Sequence, residues 1–134
     1  MLSRRSALFA ALSTAAAAGA GFATAAFATE TKPFTADAFA AAQKAGKPIL
    51  VAIHASWCPV CAKQKPILSE LLSEPKFEDL TYFVVDFDSQ KDAVNAFGAR
   101  MQSTLIAFKG QGETGRSVGD TDRSSIAALL NKTL

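Results

Sequence analysis

This 134-residue chain is poor in the side chains that build metal centres and disulfide scaffolds: it has two cysteines, Cys58 and Cys61, and one histidine, His54. Two cysteines three positions apart close too small a loop to staple a fold, so a disulfide framework is excluded and a reactive pair explains them better. One histidine restricts any soft metal site to a single set, Cys58, Cys61 and His54. There is no internal repeat and no linker, and roughly 106 residues after the N-terminal segment suit one domain with one core.

What is present is concentrated. Trp57-Cys58-Pro59-Val60-Cys61 follows directly on the apolar run Pro48-Ile49-Leu50-Val51-Ala52-Ile53-His54. A buried strand ending in a short turn delivers the first cysteine to the N-cap of a helix, where unpaired N–H groups and the helix dipole stabilise a thiolate. Cys58 is then the expected nucleophile. Cys61 lies one turn deeper on the same helix, within reach of a disulfide, and is the expected resolving thiol.

Residues 1–28 have the pattern of an export signal peptide, leaving a domain of residues 29–134. Arg4 and Arg5 form the positive start, Ala7 to Phe27 an apolar stretch rich in Ala, and Ala26-Phe27-Ala28 a small-x-small cleavage site. Ser3-Arg4-Arg5-Ser6-Ala7-Leu8-Phe9 also has features of a twin-arginine signal. An uncleaved anchor is the competing reading, since about 20 apolar residues can span a bilayer, although Ala and Gly keep the hydrophobicity modest. Two of the 14 basic residues lie in this segment, so the remainder carries 12 basic against 12 acidic side chains. No basic cluster is left that would favour nucleic acid or an anionic membrane surface. The expected location is periplasmic or otherwise exported, with no stable membrane insertion after cleavage.

The coarse pattern is helix, strand, helix, strand, helix, strand, strand, helix. Thr35 caps a first helix with Phe34 stapled on Phe39, and Gly46 and Pro48 end it. Ile49 to His54 is a central strand covered on both faces. Pro59 opens a helix that continues to about Leu72, kinked at Pro66. Thr81 to Phe87 reads as a second buried strand, and Ser89 to Phe97 as a short helix stopped by Gly98. Thr104 to Lys109 and Thr114 to Val118 flank Gly110-Gln111-Gly112-Glu113 as a hairpin, and Thr121 to about Lys132 is an amphipathic helix. The sum is an α/β fold, a central mixed sheet with helices on both faces.

On Gly46-Lys47-Pro48, the apolar strand, Trp57-Cys58-x-x-Cys61 with Pro66 behind it, Phe97-Gly98-Ala99-Arg100, Thr104 to Gly110 and Val118-Gly119, the chain resembles the thioredoxin superfamily from Phe34 to Leu134. Its first half is similar to small exported thioredoxin-like proteins and to the periplasmic C-terminal domain of the membrane disulfide reductase. The resemblance implies a thioredoxin fold and thiol–disulfide exchange with client protein thiols and disulfides. It implies no cofactor beyond the redox-active disulfide, and a membrane redox partner to reset the pair. It also implies that Trp57, Pro59, Ser103 and Thr104 contact a bound client. Of the two directions, reduction is preferred: the surrounding sequence resembles reducing members, whereas Pro59 beside the nucleophile is a feature of more oxidising ones.

Two departures bear on mechanism. The family's buried acid in the active-site strand is replaced by Ala52, so that general base is absent. Its cis-proline beside the motif is replaced by Ser103, which is expected trans or locally strained, because a cis bond before a non-proline residue costs about 2.5–4 kcal/mol. His54 has three readings: a packing residue, a group that tunes the pKa of Cys58, or a metal ligand. The last gives the alternative function, a copper or zinc carrier holding its metal with Cys58, Cys61 and His54. Lys63 and Lys65 read as a solvated helix face, and Asp86 and Asp88 as solvent contacts at a strand end.

Protein recovered from a periplasmic extract should begin near Thr29 on N-terminal sequencing. An intact residue 1 would identify an uncleaved anchor instead.

Overall fold

A computed structural model describes residues 29–134 together with Gly19 and Gly21; the signal segment read at 1–28 otherwise lies outside the described residues. Five strands form one mixed sheet: β1 (Glu30–Pro33), β2 (Pro48–His54), β3 (Thr81–Asp86), β4 (Thr104–Lys109) and β5 (Gly112–Val118), in the order β1-β3-β2-β4-β5. β2 is central, parallel to β3 and antiparallel to β4, and five of its seven residues are buried. That double burial explains its unbroken apolar run. Helices α1 (Ala36–Lys44), α2 (Pro59–Leu72), α3 (Lys91–Ala96) and α4 (Arg123–Asn131) cover the sheet.

Successive β2 side chains alternate between two cores. Leu50 and Ala52 meet Leu68 and Leu71 of α2 and Ile126 and Leu130 of α4 on one side. Ile49, Val51 and Ile53 meet Ala42, Val94 and an aromatic cluster on the other. In that cluster Phe39 packs edge-on against Phe83, Phe97 and Phe108 at ring distances of 5.8, 5.2 and 5.2 Å. The scattered phenylalanines therefore converge once the chain folds. Phe34 stacks on Phe39 at 5.7 Å, and Thr35 Oγ1 accepts the Ala38 N–H at 3.2 Å, so staple and cap form as expected.

Four details differ from the sequence reading. β1 carries no apolar pattern, because it is a short, mostly exposed edge strand with charged side chains, and only its parallel register against β3 reveals it. A 3₁₀ turn at Pro75–Phe77 was not expected; it buries Phe77. α3 starts at Lys91 rather than Ser89, because Asp86 Oδ1 accepts the N–H groups of Asp88 and Ser89 and ties those residues into a turn. The hairpin is also tighter than expected: β5 begins at Gly112, paired with Lys109, so only Gly110 and Gln111 form the loop, with Gly110 at φ 58°. α2 runs unbroken through Pro66 to Leu72.

Replacing Phe83, which is fully buried between β1 and β2 in the aromatic core, by Ala should lower unfolding stability by about 3–5 kcal/mol. Urea denaturation measures this directly.

Candidate active site

β2 ends at His54, and the chain turns through Ala55-Ser56-Trp57 into α2 with Cys58 as its N-cap residue and Pro59 at the first helical position. The turn closes with the Cys58 N–H donating to the Ala55 carbonyl at 3.2 Å. Cys58 Sγ accepts the Cys61 N–H at 3.1 Å. The sulfur thus occupies the place usually taken by a Ser or Asp oxygen, satisfying one of the helix's orphan donors. A negative charge on this sulfur meets a donor and the positive end of the helix dipole. Pro59 has no N–H to leave unpaired.

Both cysteines are free thiols and both are buried, at 3% and 2% exposure, in a small cluster with Ala55 against which Val60 and Phe87 pack. Burial pushes the Cys61 thiol up from its ordinary value, and its hydrogen bond to Cys58 adds to this. Backbone hydrogen bonds from Ala55 and Ser103 pull the other way. β2 carries no acid: Ala52 is flanked in register by Val84 and Leu105. Tyr82 on β3 is pushed up to about 12, by burial first and then by the charge of Cys61.

Trp57 is 57% exposed, one of the few large apolar side chains on the surface. Its indole is held from two sides. Nε1 donates to Asp88 Oδ2 at 2.8 Å, and the ring stands edge-on to Phe87 at 6.4 Å. Asp88 was read as a solvent contact; it is instead the anchor of the tryptophan beside the nucleophile. Nothing in the sequence connects residues 31 positions apart. Pro59 is exposed next to Cys58, as a residue on a contact surface must be.

His54 is half-buried and faces Asp86 in the β2–β3 register. Hydrogen bonds from Ser89, followed by the Asp88 N–H and the charge of His54, hold the Asp86 carboxyl below the usual carboxylate range. Among the described residues no group of three Cys, His, Asp or Glu is placed to hold a metal ion, so His54, Cys58 and Cys61 are not brought together as a ligand set. Lys63 and Lys65 are exposed on α2, as a solvated face requires.

Ser103 is trans, since no cis peptide occurs among the described residues, and it is strained, with φ 63°. It is the one non-glycine described residue in the left-handed region, a conformation that costs roughly 1–2 kcal/mol. Three hydrogen bonds hold it: its N–H donates to the Ile53 carbonyl at 2.7 Å, and its carbonyl accepts from Gly119 N at 3.0 Å and Gln64 Nε2 at 3.2 Å. Thr104 begins β4 with its hydroxyl donating to the Met101 carbonyl at 2.7 Å. Ser103 and Thr104 are both buried, whereas Met101 of the same loop is exposed.

Gln64 was missed in the sequence. It is 3% exposed and points from α2 into the space between the Ser103 and Gly119-Asp120 loops, donating also to the Asp120 carbonyl at 2.9 Å. A signal existed: Cys61, Gln64, Leu68 and Leu71 share the buried stripe of α2, and a glutamine on such a stripe needs partners.

Comparison with known proteins agrees with this geometry. The thioredoxin family model matches residues 30–132, and the chain belongs to that family. It is 34% identical over 84 residues to a thioredoxin of Chlamydia muridarum, covering 63% of this chain and 80% of that one. Among solved structures, Trxlp from Edwardsiella tarda is 40% identical with a TM-score of 0.74, covering 75% of this chain and 98% of that one. Malassezia sympodialis thioredoxin, at 22% identity and a TM-score of 0.68, shares the fold. The chain is thus a thioredoxin-like protein disulfide oxidoreductase with a mixed α/β sheet and a CxxC pair.

Ser103→Pro should lower stability by about 2–4 kcal/mol, because proline fixes φ near −65° and removes the N–H given to Ile53. Ser103→Gly should leave stability unchanged or raise it by about 1 kcal/mol by relieving the positive φ. The urea midpoint should fall for Ser103→Pro and hold or rise for Ser103→Gly; a stabilising proline would contradict the left-handed loop.

Proposed function

We propose that this protein is an exported thiol–disulfide oxidoreductase in which Cys58 is the nucleophile and Cys61 the resolving thiol. The observation that carries the reading is the capping geometry: the Cys58 sulfur holds the Cys61 N–H at the N-terminus of α2. In the reducing direction, the Cys58 thiolate attacks one sulfur of a client disulfide, and the other client sulfur leaves with the electron pair and takes a proton. Cys61 then loses its proton and attacks the Cys58 sulfur. The Cys58–Cys61 bond forms, the Cys58–client bond breaks, and the second client sulfur leaves as thiolate. The client gains two electrons and the protein becomes a disulfide.

No organic cofactor enters this cycle. The product disulfide must be reduced again, and for an exported protein the donor is a membrane redox partner. Trp57, held by Asp88, and Pro59 give the client an exposed surface beside Cys58. Export rests on the composition of residues 1–28, and reduction on the resemblance of the flanking sequence to reducing members.

Cys58→Ser should abolish turnover of a protein disulfide such as insulin, and retained activity would remove Cys58 from the mechanism. Cys61→Ser should keep the first attack and trap a mixed disulfide through Cys58, seen as a reductant-sensitive adduct by mass spectrometry. Direction is read from the equilibrium potential of residues 29–134 in glutathione buffers. A value near about −270 mV places the protein with reducing thioredoxins, and one near about −120 mV makes it a dithiol oxidant.

A further inference from the structure

Lys65, Ser69 and Leu72 follow one another at helical spacing along α2, and this stripe faces the β1 edge of the sheet. Opposite it stand Thr31 of β1 and Tyr82 of β3, which are partners in the parallel register. Between them lies a cavity of about 420 Å³, within the range of roughly 300–1,000 Å³ that takes a small organic molecule. Thr29 closes one side: its Oγ1 donates to the Leu72 carbonyl at 2.6 Å and the Phe77 carbonyl at 3.0 Å, stapling the start of β1 to the end of α2. None of these residues belongs to the cysteine cluster.

The polar groups of this cavity divide into engaged and free. Thr29 is engaged as described, and Ser73 at the rim donates to the Glu70 carbonyl at 2.6 Å. The hydroxyls of Thr31, Ser69 and Tyr82 and the Lys65 ammonium have no hydrogen-bond or ion-pair partner among the described residues. Tyr82 keeps its proton and stays a donor, since burial first and then the charge of Cys61 push it up to about 12. The nearby carboxylates are taken: Glu30 by Lys32, Glu70 by Arg123 and Glu74 by Lys76. No carboxylate lines the cavity, so its one formal charge is positive, and Leu72 and the Tyr82 ring supply an apolar wall. We propose that this cavity binds a small organic anion, a carboxylate on an apolar body. The body lies against Leu72 and the Tyr82 ring, and the carboxylate accepts from the Tyr82 hydroxyl and pairs with Lys65.

The test uses a charged probe and its neutral twin, indole-3-acetate and indole-3-acetamide, titrated into the purified protein by calorimetry and by amide chemical shifts. Indole-3-acetate should saturate one site, with shifts centred on residues 65–73 of α2 and on Thr31 and Tyr82. The amide should bind about tenfold more weakly. A hydrogen bond to a charged acceptor is worth more than an exposed ion pair, so Tyr82→Phe should weaken indole-3-acetate about tenfold and Lys65→Gln about threefold. Lys65→Gln should leave the amide's affinity unchanged. The cysteines take no part, so Cys58→Ser should bind the probe as the wild type does, whatever becomes of its disulfide exchange.

Failure to saturate by about 10 mM overturns the proposal. So does equal affinity for acid and amide, or an unchanged affinity for indole-3-acetate in both Tyr82→Phe and Lys65→Gln. Shifts centred on Trp57 and Cys58, or binding lost in Cys58→Ser, would move the anion to the redox centre and equally remove it from this cavity. Should Tyr82→Phe not fold, Ser69→Trp on the exposed part of α2 fills the cavity instead. It should abolish probe binding while insulin reduction continues, and undiminished binding in that variant would sink the assignment.

Discussion

A helix begins with N–H groups that have no partner inside the helix, and at the start of α2 one of them is given to a sulfur. The contact between the Cys61 N–H and Cys58 Sγ ties the two cysteines together through backbone as well as through the future disulfide. It requires Cys58 to be extended at the cap and Cys61 to be helical, which in turn requires β2 to end where it does and Pro59 to open the helix. The central position of β2 in the sheet follows from the same demand. A strand buried on both faces is a rigid platform, and the nucleophile is placed at its end rather than on a free loop.

Burial gives this site its chemistry and its difficulty. The cysteines lie in a cluster with almost no exposure, where an anion lacks water and must be met by fixed dipoles. Cys58 has the helix terminus. Cys61 has backbone groups of Ala55 and Ser103, set against the cost of burial and the proximity of Cys58. β2 itself carries no carboxylate, and Ala52 stands opposite Val84 and Leu105 in the register.

The outer surface is organised on the same economy. Trp57 would be a free exposed side chain without Asp88 and Phe87, which come from the far end of β3 and fix the indole beside Cys58. His54 and Asp86 stand opposite each other at the ends of neighbouring strands. Side chains that look like independent candidates along the chain are divided by the sheet register into a redox centre, an aromatic anchor and a strand-end pair.

The central strand, the capped helix carrying Cys58 and Cys61, the hairpin and the final amphipathic helix were legible in the sequence, because burial and backbone geometry impose periods and caps that a linear pattern preserves. β1 was not, since an exposed edge strand has no apolar period and exists only by pairing with β3. Asp88, Gln64 and the left-handed Ser103 were not either: each takes its role from partners 31, 39 or 56 residues away, or from a hydrogen-bond network that closes only when three loops meet. Local sequence determined which residues carry the sulfur chemistry. Tertiary structure alone decided what surrounds them, because hydrogen bonds between distant segments depend on register and loop position, and neither is written in any single stretch of chain.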